Sequence, residues 1–170
     1  MRCRFRSGSI ADRPKTTERL IKITFDEGSI VRWNADIAHA RRVAIFDLLE
    51  QNSFAPVDDV EGPYCLHLGI VENRLVFDLS SEAEAPLCKI VLPTSPFRRT
   101  IRDYFQICES YFSAIKTASP SRIEAIDMGR RGVHNEGSTL LQERLQGKAE
   151  IDFNTARRLF TLICVLHLRG

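Results

Sequence analysis

The run Glu124-Ala-Ile-Asp-Met-Gly-Arg-Arg-Gly-Val-His-Asn-Glu-Gly-Ser138 holds the densest set of reactive side chains in the chain. Two acids, two adjacent arginines, a histidine, an asparagine and a third acid are interleaved with three glycines. Arg130 and Arg131 offer planar forks suited to phosphate or carboxylate. Gly129 and Gly132 would let backbone amides approach an anion, and a helix opening at Ser138 would turn its free N–H groups toward it. On this primary reading Arg130, Arg131 and His134, supported by Asn135 and Ser138, hold a small anionic ligand or an acidic protein partner. The runner-up is a hydrolase or lyase in which Asp127, His134 and Glu136 act as acid–base groups, a carboxylate orienting the imidazole. A third reading makes the run an internal network stabilising a homodimer, with the helical face at Arg98 to Arg102 exposed. His-x-Glu without further histidines or cysteines is a weak ligand pattern, so no metal and no cofactor is assigned.

These residues need elements to present them. Leu20 to Phe25 alternates and is rich in β-branched residues, as a strand should be. Asn34 is placed to cap a helix running to about Glu50. Asn52 to Pro63, broken by Pro, Gly and acids, reads as a connecting loop. Strands follow at Tyr64 to Val71, Leu75 to Leu79 and Leu87 to Leu92, with Glu72-Asn-Arg74 short enough for a hairpin turn. Ser95-Pro96 opens a helix with Phe97, Ile101, Tyr104, Phe105, Cys108, Phe112 and Ile115 on one apolar stripe. Opposite lie Arg98, Arg99, Arg102, Asp103, Gln106 and Glu109, a solvated face with Arg99 and Asp103 paired at four-residue spacing.

Ser119-Pro120 and the capping box Ser121-x-x-Glu124 start the next helix, which Gly129 to Gly132 should end. Ser138 then caps a short helix closed at Gly147, and Asp152 caps a last helix through Leu168 whose second half is apolar nearly all round, as in a buried helix. The expected fold class is α+β: a small, mostly antiparallel sheet of about four strands packed against about five helices, with a helical C-terminal half. Residues 1–18 read as a flexible basic arm and 19–170 as one domain.

The 170 residues carry 44% apolar and 27% charged side chains, ordinary for a globular chain. The arm holds five basic and two acidic residues, leaving 19 basic and 20 acidic elsewhere. A near-neutral body lacks the clustered positive charge of a nonspecific nucleic-acid or acidic-lipid binder, so neither specific nucleic-acid recognition nor membrane binding is expected. Five cysteines with no Cys-x-x-Cys pair, four of them in apolar runs, fit a reducing cytoplasm. No Walker loop, Rossmann glycine pattern, zinc spacing or nucleophile elbow is present.

Asn52-Ser-Phe-Ala-Pro-Val57, Glu72-Asn-Arg-Leu-Val-Phe-Asp78, Pro96-Phe-Arg-Arg99, Asp103-Tyr-Phe105, Ile107-Cys-Glu-Ser-Tyr111 and the block from Ile123 to Gly170 resemble uncharacterised protein family 0262 of the alphaproteobacteria. The resemblance runs from about Arg19 to Gly170, with Ile126-Asp-Met-Gly-Arg-Arg-Gly132 and His134-Asn-Glu-Gly-Ser138 its most specific blocks. It implies a bacterial intracellular protein and carries no catalytic residues with it. The basic arm departs from the family, whose members typically begin near Arg19.

Overall fold

The computed structural model describes residues 17–26 and 35–167. Most of the basic arm and the expected cap at Asn34 lie outside them. The fold is α+β. Its elements run β1 (Leu20–Phe25), α1 (Ala35–Glu50), β2 (Phe54–Pro56), β3 (Tyr64–Val71), β4 (Arg74–Ser80) and β5 (Pro86–Pro93). A 3₁₀ turn (Ser95–Phe97), α2 (Arg98–Thr117), α3 (Pro120–Leu145), β6 (Ala149–Ile151) and α4 (Phe153–His167) complete them.

The main sheet has the order β1-β3-β4-β5. It is mixed: β1 runs parallel to β3, and β3-β4-β5 form an antiparallel meander. The parallel pair follows from the long excursion through α1 between β1 and β3, because only antiparallel neighbours can be joined by a tight turn. Such a turn joins β3 to β4, where Glu72 and Asn73 both take positive φ, 49° and 60°. That backbone matches the twist of a two-residue hairpin.

Three expectations change. Four α-helices and one 3₁₀ turn stand among the described residues where five helices were expected. Phe54–Pro56 is a buried strand pairing antiparallel with Ala149–Ile151, where a loop was expected. The largest change is α3, one helix of 26 residues that passes through Gly129, Gly132 and Gly137. Its cap is Ser119, whose Oγ accepts from Arg122 N at 3.4 Å. Ser121 therefore lies inside the helix, Glu124 is an exposed surface residue, and Ser138 caps nothing. Glycine disfavours helix by roughly 1 kcal/mol per residue, but packing outweighs that where the missing Cβ is what permits contact. A Cβ on Gly137 would lie 2.1 Å from Phe160 Cζ, and one on Gly129 would lie 2.8 Å from Ile107 Cδ1.

The core gathers on α4. Leu159, Phe160, Leu162 and Ile163 are buried with Leu48 of α1, Leu66 and Leu68 of β3, Phe77 and Leu79 of β4, and Leu141 and Leu145 of α3. The Asn52 side chain fastens α1 to the sheet: its Nδ2 donates to Leu48 O and Leu20 O at 2.7 and 2.9 Å, and its Oδ1 accepts from Leu20 N at 2.7 Å. Asp152 caps α4 as expected, its Oδ1 accepting from Thr155 N at 2.7 Å. Helix α2 buries Ile101 but leaves Phe112 and Ile115 38% and 50% exposed, so only the first half of its apolar stripe reaches the core.

Two glycines of α3 therefore respond oppositely to alanine. Gly137→Ala forces the ring of fully buried Phe160 aside and is expected to cost about 1–3 kcal/mol. Gly132 has nothing within 4 Å of its Cβ position. Gly132→Ala is expected to stabilise by about 0.5–1 kcal/mol through the helix propensity alone. Urea denaturation midpoints measure both.

Candidate functional site

On a straight helix the run Glu124 to Ser138 is divided among several faces. Residues three and four apart are neighbours, so Asp127 meets both Arg130 and Arg131. Asp127 Oδ1 accepts from Arg130 Nε and Nη2 at 3.1 and 2.5 Å, and its Oδ2 lies 3.0 Å from Arg131 Nη2. One carboxylate thus faces two guanidinium groups and leaves one net positive charge. Arg130 also stacks on Tyr111, its Cζ 4.5 Å from the ring centroid, and Tyr111 meets Phe112 edge-on at 5.8 Å. Hydrogen bonds from Arg130, assisted by its charge and that of Arg131, hold the Asp127 carboxyl below its ordinary range. Burial works against the Arg130 cation, yet its bond to Asp127 prevails and raises its pKa. Arg130 is half-buried, whereas the Arg131 side chain is 69% exposed.

His134 sits apart from this clamp. Its ring lies between Tyr104 and Phe160 at 5.2 and 5.3 Å, buried at the meeting of α2, α3 and α4. Nε2 lies 2.8 Å from Thr161 Oγ1, and that hydroxyl donates to Arg157 O at 3.2 Å. The hydroxyl proton being committed, Nε2 carries the hydrogen that Thr161 accepts, and Nδ1 keeps a buried lone pair without a partner. Burial, then the charges of Arg157 and Arg130, lower the imidazole to about 4. At neutral pH His134 is an uncharged core residue.

The remaining candidates scatter. Ser138 is fully buried and donates to His134 O at 2.8 Å. Asn135 and Glu136 are exposed. Nine helical positions separate Asp127 from Glu136, about half a revolution beyond two whole turns, so these carboxylates point to opposite sides. Of the expected set, the fold joins Asp127, Arg130 and Arg131, isolates His134 and Ser138 in the interior, and disperses Asn135 and Glu136. No group of three or more His, Cys, Asp or Glu able to hold a metal occurs among the described residues. Tyr111 was missed by the sequence reading. Its signal was the α2 stripe itself, which brings Tyr111 to the helix face seven residues beyond Tyr104.

Comparison with known proteins gives the same lineage. The model for "Uncharacterised protein family (UPF0262)" matches residues 17–169. The chain belongs to this family. It is 60% identical over 154 residues to a UPF0262 protein of Azorhizobium caulinodans, covering 89% of this chain and 95% of that one. A UPF0262 protein of Xanthobacter autotrophicus is 56% identical over 164 residues, 95% of this chain and 100% of its own, and one of Brucella anthropi is 60% identical over 153, 89% and 95%. No solved structure matches. Among the described residues of this UPF0262 chain, no helix is long and apolar enough to cross a membrane.

The buried imidazole sets a pH dependence. Above pH 6.5 His134 is neutral in both folded and unfolded chains and stability is unaffected. As pH falls from 6.5 toward about 4, the unfolded chain takes up a proton that the fold refuses, so stability declines by up to about 3 kcal/mol from this group. His167, lowered by burial and by Arg98, adds a slope of the same sign. His134→Gln should flatten the fall in denaturation midpoint between pH 7 and pH 4.

Proposed function

We propose that this protein is a regulatory binding module, and that it holds an acidic group of a ligand or partner at the Asp127–Arg130–Arg131 clamp. The reading rests on one observation: two guanidinium groups share a single carboxylate, with Arg131 69% exposed. An exposed, internally paired arginine is ordinary on a helix. Here a second guanidinium is held beside it by Tyr111 stacking and by Asp127, so the pair is ordered before any ligand arrives, which lowers the entropy cost of binding. Phe112 adjoins through Tyr111 and adds apolar surface beside the charge. That combination suits a carboxylate- or phosphate-bearing segment of a protein better than a small free metabolite, which would require an enclosing pocket.

The catalytic alternative finds no support in the geometry. Asp127 is committed to two arginines, His134 is buried and uncharged, and Glu136 lies on another helix face.

The experiment is a titration with a fluorescent glutamate-rich peptide and, separately, with inorganic pyrophosphate. Arg131→Ala should weaken peptide binding about tenfold or more, the loss of roughly one charge-assisted contact. Asp127→Asn keeps an oxygen that can accept from Arg130, and with it the ordering of the pair, while removing the competing negative charge, and should tighten binding of both probes. Binding that is unchanged or weakened in Asp127→Asn refutes the clamp as an anion site.

A further inference from the structure

The outer half of the α2–α3 hairpin stands clear of the core. In α3 no residue before His134 is buried, and in α2 the only buried residue beyond Ile101 is Ala114. Ala114 lies on the same face as Ile107, which touches Gly129 of α3, so its burial comes from the seam between the two helices. From Cys108 to Thr117 the free length of α2 is about 15 Å. Along it Phe112 and Ile115 continue the stripe that buries Ile101, and they do so in the open, 38% and 50% exposed.

The charges beside this face are arranged with respect to Phe112. Glu109 lies three residues before it and Lys116 four residues after it, all on one side of the helix. Both are exposed, and neither forms an ion pair among the described residues, whereas Asp103, Asp127 and their arginines all do. A helix carrying an apolar centre, an acid toward its N-terminal side and a base at the matching distance toward its C-terminal side is complementary to itself when reversed. If two such helices cross antiparallel about a two-fold axis between Phe112 and Ser113, Glu109 of each copy meets Lys116 of the other, and the two Phe112 rings meet near the axis. This is the isologous contact that cyclic dimers use.

We propose that the outer face of α2 is a self-association surface, its occupant a second copy of this chain, with Phe112 and Ile115 at the centre and reciprocal Glu109–Lys116 pairs at the rim. The proposal does not rest on the anion reading: the two surfaces share Phe112, but self-association uses neither Arg130 nor Arg131, and the Glu109 and Lys116 reversals leave the clamp untouched. The free face is short beside the roughly 800 Å² per partner of a standard stable interface, so the dimer is a weak, concentration-dependent one.

Sedimentation equilibrium on the full chain tests it, with circular dichroism and thermal melting confirming that each variant is folded. The unaltered chain should show a concentration-dependent monomer–dimer equilibrium, and Phe112→Asp should leave it monomeric. Glu109→Lys and Lys116→Glu should each weaken association about tenfold or more by placing like charges opposite one another. An equimolar mixture of these two variants should restore association, because each then meets its opposite, and the double reversal in one chain should restore it as well. These charge variants are on the surface and keep the test open should Phe112→Asp fail to fold. A chain monomeric at all accessible concentrations overturns the proposal. Dimers indifferent to both charge reversals overturn it too, since they form elsewhere.

Discussion

The contact between Phe160 and Gly137 is the constraint from which the rest of the fold follows. Helix α4 is apolar nearly all round and must be covered on several sides, by α1, by the sheet and by α3. Phe160 stands where a Cβ on Gly137 would be, so α3 can lie against α4 only because that position has no side chain. The same ring packs on Tyr104 and His134, bringing α2 into the cluster. Once α3 is held along α4 over its C-terminal half, its N-terminal half runs past the end of the core, and α2 is carried outward with it. The projecting hairpin, with apolar side chains left in the open, is thus a consequence of core packing.

Electrostatics divides the central run along the same line. Inside the core a charged imidazole would lose its hydration next to two arginines, so His134 stays neutral and its proton points to Thr161. On the projecting part Asp127 remains ionised because two guanidinium groups surround it. These two environments lie only seven residues apart. What separates them is depth relative to the core: His134 comes at the point where α3 reaches the body, and Asp127 two turns before it.

Much of the architecture was legible in the chain. The alternation in Leu20 to Phe25 and the two hydrophobic runs around Glu72-Asn-Arg74 report strands, because side-chain direction in a strand follows from position alone. Asp152 reads as a cap for the same local reason. The β2–β6 pair was not legible: three-residue strands are too short for periodicity, and they exist because the chain before β3 is brought beside the turn after α3. The parallel pairing of β1 with β3 is likewise a matter of where the crossover returns.

The central run shows where local reasoning stops. Its composition determined that Asp127, Arg130 and Arg131 would form a cluster in any helix, since the three-and-four spacing brings them together. It could not determine that the helix continues through three glycines, because the local preference is against it by roughly 1 kcal/mol at each. The buried ring of Phe160 against Gly137 and the half-buried aliphatic side chain of Ile107 against Gly129 offset that preference at two of the three, and both are distant in sequence. Residue types and spacing therefore determined which charges pair; packing across α2, α3 and α4 decided which groups are buried and which remain exposed, the apolar side chains of Phe112 and Ile115 among them.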